Sequence, residues 1–594
     1  MTASSRPSAI VDFAEHAGHA PRRLRFEAPS AVIRVSALSG VVQAIDDAER
    51  LAREGRWVVG FVSYEAAPAF DPALAAAPAG PLPLAWFAAF DAPQSSDSPE
   101  SSSARSDQTT VAAEPLLPRP AVPDDDYASA VHRIHEYIDA GDVYQVNLTV
   151  PFVAPTLASP LALYEGMLAA QGGAYGCFLD IGDAQILSAS PELFFERRGA
   201  LVRSRPMKGT ASRGLHPLAD GIARAALLSS EKERAENVMI VDVVRNDLGR
   251  IARVGGVRVA SLYEAERYPS VWQMTSTVEA DVDRSVPLST IFRAMFPPAS
   301  ITGAPKVRAT GIIRELESQP RGVYCGAIGV VRPGGDATFN VAIRTGWMAT
   351  DGGELHVHAG GGVTSDSTAR GELHELRAKL AAFTRVRERP TLFETLRIED
   401  GRPLRLERHL ARLAASADYF GIPFRPADAI GALENALAAQ PTSELARGRL
   451  DLSPEGRCSA SADPHPGAPA SDPAPVVLAA EPVDRSDVRL YHKTTDRTVY
   501  DRASALVPDA FDVVLWNADG EATELTRGNL VVQEGDDRVT PPIHCGLLAG
   551  TLRAELLDRG EIRERVISLE DLRRADRLWF VNSLRGWVPV QFRA

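Results

Sequence analysis

Residues 230–249 read SEKERAENVMIVDVVRNDLG, and their reading as a helix sets the frame for the rest of the chain. Ser230 stands where an N-cap would, and Glu233 three residues later completes a capping-box pattern. Glu233 and Glu236 are three apart, so they share one helix face. The following NVMIVDVV is almost wholly apolar, so Glu236 borders a surface that must be buried. Downstream, HAGGGVTSDSTARGELHELRAKL (358–380) repeats the arrangement: Glu372 and Glu375 at i and i+3, with Leu373, Leu376 and Leu380 turned toward a core. The glycines of AGGG (359–362) let backbone amides approach an anion closely. Two helical carboxylate pairs and a glycine nest suit Mg²⁺, a hard cation that takes oxygen ligands and leaves positions for a substrate carboxylate. Taken alone the spacing is weak evidence, since glutamates three apart arise by chance in many helices. Upstream, SRPMKGT (204–210) sets Lys208 between a proline turn and a glycine, where a lysine is usually a surface charge.

Around these stretches, strand-like runs (VVGFVSYEA, AWFAAF, AQILSASPELFFE, GVYCGAIGVV, FNVAIRTGWMA) alternate with helical ones such as DYASAVHRIHEYIDAG. The alternation predicts an α+β layered architecture with much antiparallel pairing. At 594 residues the chain exceeds one hydrophobic core, and the length suggests roughly three to four domain-sized units. The stretch 92–115 is Ser/Asp-rich and poor in large apolar residues, which predicts a disordered insert. Residues 459–476, SASADPHPGAPASDPAPV, read as a linker or long loop. A break near Arg389–Pro390 separates a large N-terminal part from about two hundred residues that follow. The expected divisions are therefore 1–91, 92–115, 116–388 and 389–594.

Apolar content of 45% and charged content of 24% are ordinary for a globular protein. The net charge of −13 argues against a nucleic-acid partner, because phosphate binding wants a basic surface. The first twenty residues lack a signal-peptide core and no stretch is long enough to span a bilayer, so a cytoplasmic location is expected. Four cysteines without CxxC spacing suggest neither a disulfide framework nor a zinc site. Further polar candidates lie in FPPASITGAPKVRA, which places Thr302, Gly303 and Lys306 at a helix start. GVYCGAIG and NVAIRTG put Tyr324 and Arg344 on strands, where an arginine is more often an exposed charge than a carboxylate grip.

Together these blocks resemble the chorismate-utilising enzymes from about Asp124 to Leu380. The likeness rests on GDVYQVNLT, ILSASPELFF, SRPMKGT, KERAENVMIVDVVRNDLGR, FPPASITGAPK, RGVYCGAIG, AIRT and AGGGVTSDS. The resemblance implies a β-sandwich-like layered domain, with 1–91 as its N-terminal part and 116–388 as its catalytic part. Anthranilate-forming members usually carry alanine at the position of Lys208; the branch that makes 4-amino-4-deoxychorismate (ADC) carries lysine in P-[IM]-K-G-T. The resemblance therefore implies amination of chorismate, with Lys208 as the nucleophile and Glu192 as the general acid. It further implies Glu236 and Glu375 as Mg²⁺ ligands, supported by Glu233 and Glu372. Thr302, Tyr324, Arg344, Gly361 and Gly362 would contact the substrate. A lysine amine that adds at C2 while the C4 hydroxyl departs splits one hard displacement into two easier ones. Many relatives have histidine where VWQMTS places Gln273, a departure that leaves the proton pathway open. None of the cysteines sits in the G-x-C-x-G context of a glutaminase nucleophile, so a separate glutaminase subunit is the implied source of ammonia.

From about Thr391 the chain resembles the class IV, branched-chain aminotransferase-like, pyridoxal phosphate enzymes, with the ADC lyases the nearest branch. The blocks are LFETLRIEDGRPLRLERHLARLAASADYFG, YHKTTDRTVYDRA, NADGEATELTRGNLVV, TPPIHCGLLAGTLRAELL and VNSLRGWVPV. Lys493 matches the lysine that carries pyridoxal 5'-phosphate, and Glu524 the acid that pairs with its ring nitrogen. Arg412, Gly550 and Thr551 match the phosphate cup. The combined resemblance implies synthesis of 4-aminobenzoate from chorismate, for folate, by two successive activities. Two alternatives stay open at this point. One is an anthranilate synthase with an appended aminotransferase-like domain; the other is a C-terminal part that only docks a partner.

Overall fold

The computed structural model describes all residues except 1–6, 14–21, 95–117, 173, 385–388, 440–444 and 594. Residues 95–115 of the insert expected at 92–115 thus lie outside the described residues. The chain divides into two compact units, one of residues 1–212 and 224–387, the other of 213–223 and 388–594.

Among the described residues, the first unit contains a nine-stranded and a ten-stranded sheet, both paired antiparallel. The strand Ala85–Phe90, sequence AWFAAF, is buried along its whole length, which accounts for a run with no polar alternation. Trp86, Ala88 and Phe90 pack with Ala9, Val11, Leu179 and Ile186 of the other sheet. Ala85, Phe87 and Ala89 join the cluster that takes in Val41, Ile45 and Ala48 of the helix Leu38–Arg53. The unit is therefore a sandwich with helices laid on it, an α+β fold. Strand Glu354–Val363 lies in the first sheet beside Gln145–Pro155, and strand Met207–Ser212 ends the second. The helices Glu231–Gly249 and Ala369–Thr384 form where the carboxylate pairs predict them.

The second unit has a four-stranded antiparallel sheet and an eight-stranded mixed one. Leu392, Leu396, Leu450 and Leu452 of the smaller sheet pack on Leu413 and Ala417 of the helix Leu406–Phe420. Of the linker or long loop expected at 459–476 only the middle is one: Cys458–Pro464 pairs along Leu445–Leu452 and Ala474–Leu478 enters the larger sheet, which leaves 465–473 outside the strands. Small residues here satisfy a ladder that composition alone does not reveal. All four cysteines are free thiols, and among the described residues no helix is long and apolar enough to cross a membrane.

Candidate active sites

The strands Leu201–Arg205 and Met207–Ser212 both pair with Val271–Val282, on either side of Pro206. Met207 opposes Thr275 but Thr210 opposes Gln273, so one extra residue is accommodated at Lys208–Gly209. This is a β-bulge, and bulges re-aim side chains. Gly209 sits at φ +98, a conformation that is strained for L side chains. The bulge brings Lys208 Nζ to 3.6 Å from Glu236 Oε2, with only 17% of the lysine side chain exposed.

Glu233 and Glu236 emerge from the first turns of the helix Glu231–Gly249, which Ser230 caps by accepting the Glu233 N–H. The reciprocal half of the expected capping box is replaced, because the Glu233 carboxylate takes the Thr210 N–H instead. On the helix Ala369–Thr384, Glu372 accepts from Ser367 Oγ at 2.7 Å, and Glu375 pairs with Lys379 at 2.8 Å. Lys379 also donates to the Gly360 carbonyl. Burial and the neighbouring glutamate raise the pKa of both Glu233 and Glu372. Burial would raise that of Glu375 too, but Lys379 outweighs it and holds this carboxyl below its ordinary value.

The glycine strand packs against both groups. A Cβ on Gly361 would stand 2.9 Å from Glu372 Oε2, and one on Gly362 would stand 2.6 Å from Lys208 Nζ. Neither position admits a larger residue without displacing charged groups. Gln145 faces the same place, its Nε2 2.5 Å from the missing Cβ of Gly362. It is fully buried, and neither end of its amide has a hydrogen-bond partner. Such a group costs free energy unless a ligand satisfies it. Gln145 and Lys379 escape the sequence reading; a glutamine opening the mostly apolar strand Gln145–Pro155 is the available signal.

Glu192 is buried, and that burial pushes its carboxyl up to about 7, although the Met207 N–H and the charge of Lys208 pull the other way. Thr302 is fully buried and donates its hydroxyl to the Pro298 carbonyl. Tyr324 and Arg344 are corrections: neither is on a strand. Tyr324 lies in the turn before Ala327–Val331 and stacks on His358 at 5.4 Å. Arg344 lies in the bend before Thr345–Ala349 at φ +50, a conformation uncommon outside glycine. Burial lowers the pKa of its guanidinium, and no carboxylate among the described residues pairs with it, which suits it to an incoming anion. The contacts therefore join Lys208, the two acid pairs and the glycines, while Thr302, Tyr324 and Arg344 touch other residues.

No three of the metal-ligating side chains among the described residues form a preformed cage. Mg²⁺ does not need one, since it is commonly held by one or two carboxylates, substrate oxygens and water. Two carboxylate pairs with crowded, partly buried oxygens fit that donor chemistry.

In the second unit, Lys493 is half-buried, with its Nζ 4.6 Å from the centre of the Phe393 ring. Burial, aided by Arg412, lowers its pKa to about 8. Glu524 accepts from Tyr500 Oη at 2.9 Å and from the Leu548 N–H at 3.1 Å, and burial pushes it up to about 8. The helix Thr551–Asp558 begins at Gly550, where a Cβ would lie 1.9 Å from Asn529 Oδ1, so only glycine fits. Arg412 is held by a two-pronged contact with Glu394 (2.8 and 2.6 Å) and by the Ala549 carbonyl. Burial opposes ionisation of Glu394, but Arg412 and a hydrogen bond from His409 prevail and bring it to about 2. His409 also meets Ser583 Oγ and Thr551 Oγ1. Helix N–H groups, an oriented guanidinium and a hydroxyl fit a phosphate, and a half-buried amine of reduced basicity fits a carbonyl cofactor. Glu394 and His409 were not foreseen, because their partners lie far from them in the sequence.

Residues 17–385 match the family model for chorismate binding enzymes, and the chain belongs to that family. Residues 391–591 match the model for class IV amino-transferases. Aminodeoxychorismate synthase component 1 of Bacillus subtilis is 39% identical over 265 residues, 45% of this chain and 56% of that protein. Anthranilate synthase component 1 of Streptomyces coelicolor is 40% identical over 264 residues, 44% of this chain and 51% of that protein. The chain thus spans about half the length of the curated relatives it matches. Anthranilate synthase component I of Streptococcus pneumoniae aligns with a TM-score of 0.51 and 25% identity, over 65% of this chain and 93% of that one.

Proposed function

We propose that the chain makes 4-aminobenzoate from chorismate in two steps, amination to ADC in the first unit and loss of pyruvate in the second. Identity does not separate amination at C4 from anthranilate formation, since both kinds of relative stand near 40%. The observation that carries the choice is Lys208, a mostly buried amine aimed by a bulge at the acid pairs and the glycine strand. Its neutral form adds to C2 of the ring as the C4–O bond breaks, and Glu192 gives its proton to the departing hydroxyl. Ammonia then bonds to C4, the C2–N bond breaks, and Lys208 regains its amine. Glu236 and Glu375, supported by Glu233 and Glu372, would hold Mg²⁺, which would supply positive charge for the ring carboxylate. Arg344 and Tyr324 receive the enolpyruvyl carboxylate, with Thr302 and the amides of Gly361 and Gly362 completing the pocket. The name component 1 borne by the relatives favours a second, glutaminase component as the ammonia source.

In the second unit, pyridoxal phosphate supplies an electron sink when bound. Lys493 removes the C4 proton of the aminated ring as the C3–O bond to the enolpyruvyl group breaks. Glu524 keeps a proton at the ring nitrogen, and Arg412, Thr551 and the Gly550–Thr551 backbone hold the phosphate.

The direct test supplies chorismate and ammonium to the pure chain with both cofactors and identifies the aromatic product. 4-Aminobenzoate is expected; anthranilate overturns the reading in favour of the other branch. Glu192 gives a second check. It must be protonated to act, so kcat for amination is expected to fall as pH rises through about 7. Glu192→Gln should lose about 10²–10⁴-fold in kcat and abolish that limb of the profile. A pH-independent wild-type rate between pH 6 and 8 would remove Glu192 as the acid.

A further inference from the structure

The bulge at Lys208–Gly209 takes two residues out of register with the neighbouring strand, and their backbone polar groups must find other partners. Side-chain amides supply them. Asn237 Nδ2 donates to the Lys208 carbonyl at 3.1 Å, and Gln273 Nε2 donates to the Gly209 carbonyl at 2.8 Å. The other end of each amide is also engaged: Ser276 Oγ donates to Asn237 Oδ1, and Thr210 Oγ1 donates to Gln273 Oε1 at 3.0 Å. Gln273 therefore grips the chain at two consecutive residues, Gly209 and Thr210, from the strand opposite. We infer that Gln273 is a positioning residue for the Lys208 amine, a role that rests on the function proposed above.

The physical case turns on what the bulge would do without the grip. Gly209 is free to adopt many backbone conformations, and a slip of one residue would throw the Lys208 side chain to the other face of the sheet. Gln273 suits the task because an amide donates and accepts at once. A carboxylate there would accept from Thr210 but face the Gly209 carbonyl with like charge. An apolar side chain of the same length would do neither. Both ends of the Gln273 amide are spent on Gly209 and Thr210, so it holds the peptide that aims the amine.

The test compares Gln273→Met and Gln273→Glu in the full chain. For amination, kcat should fall about 10- to 100-fold with KM for chorismate within about twofold, the pattern of an interaction that matters in the transition state rather than in binding. Pyruvate release from supplied ADC should be unaffected. A readout independent of turnover is acylation of Lys208 by acetic anhydride, followed by mass spectrometry with the exposed Lys232 as internal reference. Both variants should change the Lys208:Lys232 labelling ratio at least about threefold at unchanged melting temperature. Should Gln273→Met not fold, Gln273→Glu, which keeps the Thr210 bond, carries the test. Wild-type kcat and labelling in the folded variant would overturn the inference. If the wild-type chain made no ADC the functional reading would fall, while the labelling ratio would still decide whether Gln273 sets the lysine.

Discussion

Lys208→Ala is expected to leave less than about a thousandth of the wild-type rate of ADC formation, a loss of about 4 kcal/mol in transition-state stabilisation. Pyruvate release from ADC by the second unit should be unchanged, which rules out general misfolding as the cause. Lys208→Arg is the sharper variant, because a guanidinium keeps the charge beside Glu236 and cannot act as a neutral nucleophile. Both variants should be inactive if the amine bonds to the ring. An active Lys208→Arg enzyme would mean that the residue serves only as a positive charge, and the covalent route would fall. Product chromatography with chorismate and ammonium measures all of these.

Lys493→Ala is expected to lose the visible absorbance of the cofactor-bound protein and at least about a thousandfold in the rate of pyruvate release, again about 4 kcal/mol. Amination in the first unit should persist, so ADC should accumulate. The wild-type amine is neutral above and protonated below about pH 8, so cofactor uptake should quicken as pH rises through that value. Glu394→Gln removes the charge that fixes Arg412 and should weaken cofactor binding while leaving Lys493 in place. Wild-type protein that stays colourless after incubation with pyridoxal phosphate would favour the docking alternative for this unit.

Sequence pattern was most informative where chemistry and periodicity coincide. Glu233, Glu236, Glu372 and Glu375 appear at helical spacing beside apolar runs, and both helices form there. Lys208 was visible as a lysine before a glycine, but its aim was not. That aim depends on a register offset against Val271–Val282, which exists only once the strands pair. Apolar and β-branched neighbours make Tyr324 and Arg344 read as strand residues, whereas the chain turns at both. The segment after Cys458 looked like a linker because small residues and prolines dominate it; its partner Leu445–Leu452 supplies the order its composition lacks. Gln145 draws its importance from burial, and Glu394 and His409 from burial and distant partners; neither property is written in local spacing.

The second compact unit is not one stretch of chain, since it takes residues 213–223 from the middle of the first. The peptide leaves one unit five residues after Lys208, returns at Arg224, and crosses once more near residue 388. A cut at 388 alone would therefore leave residues 213–223 on the N-terminal fragment.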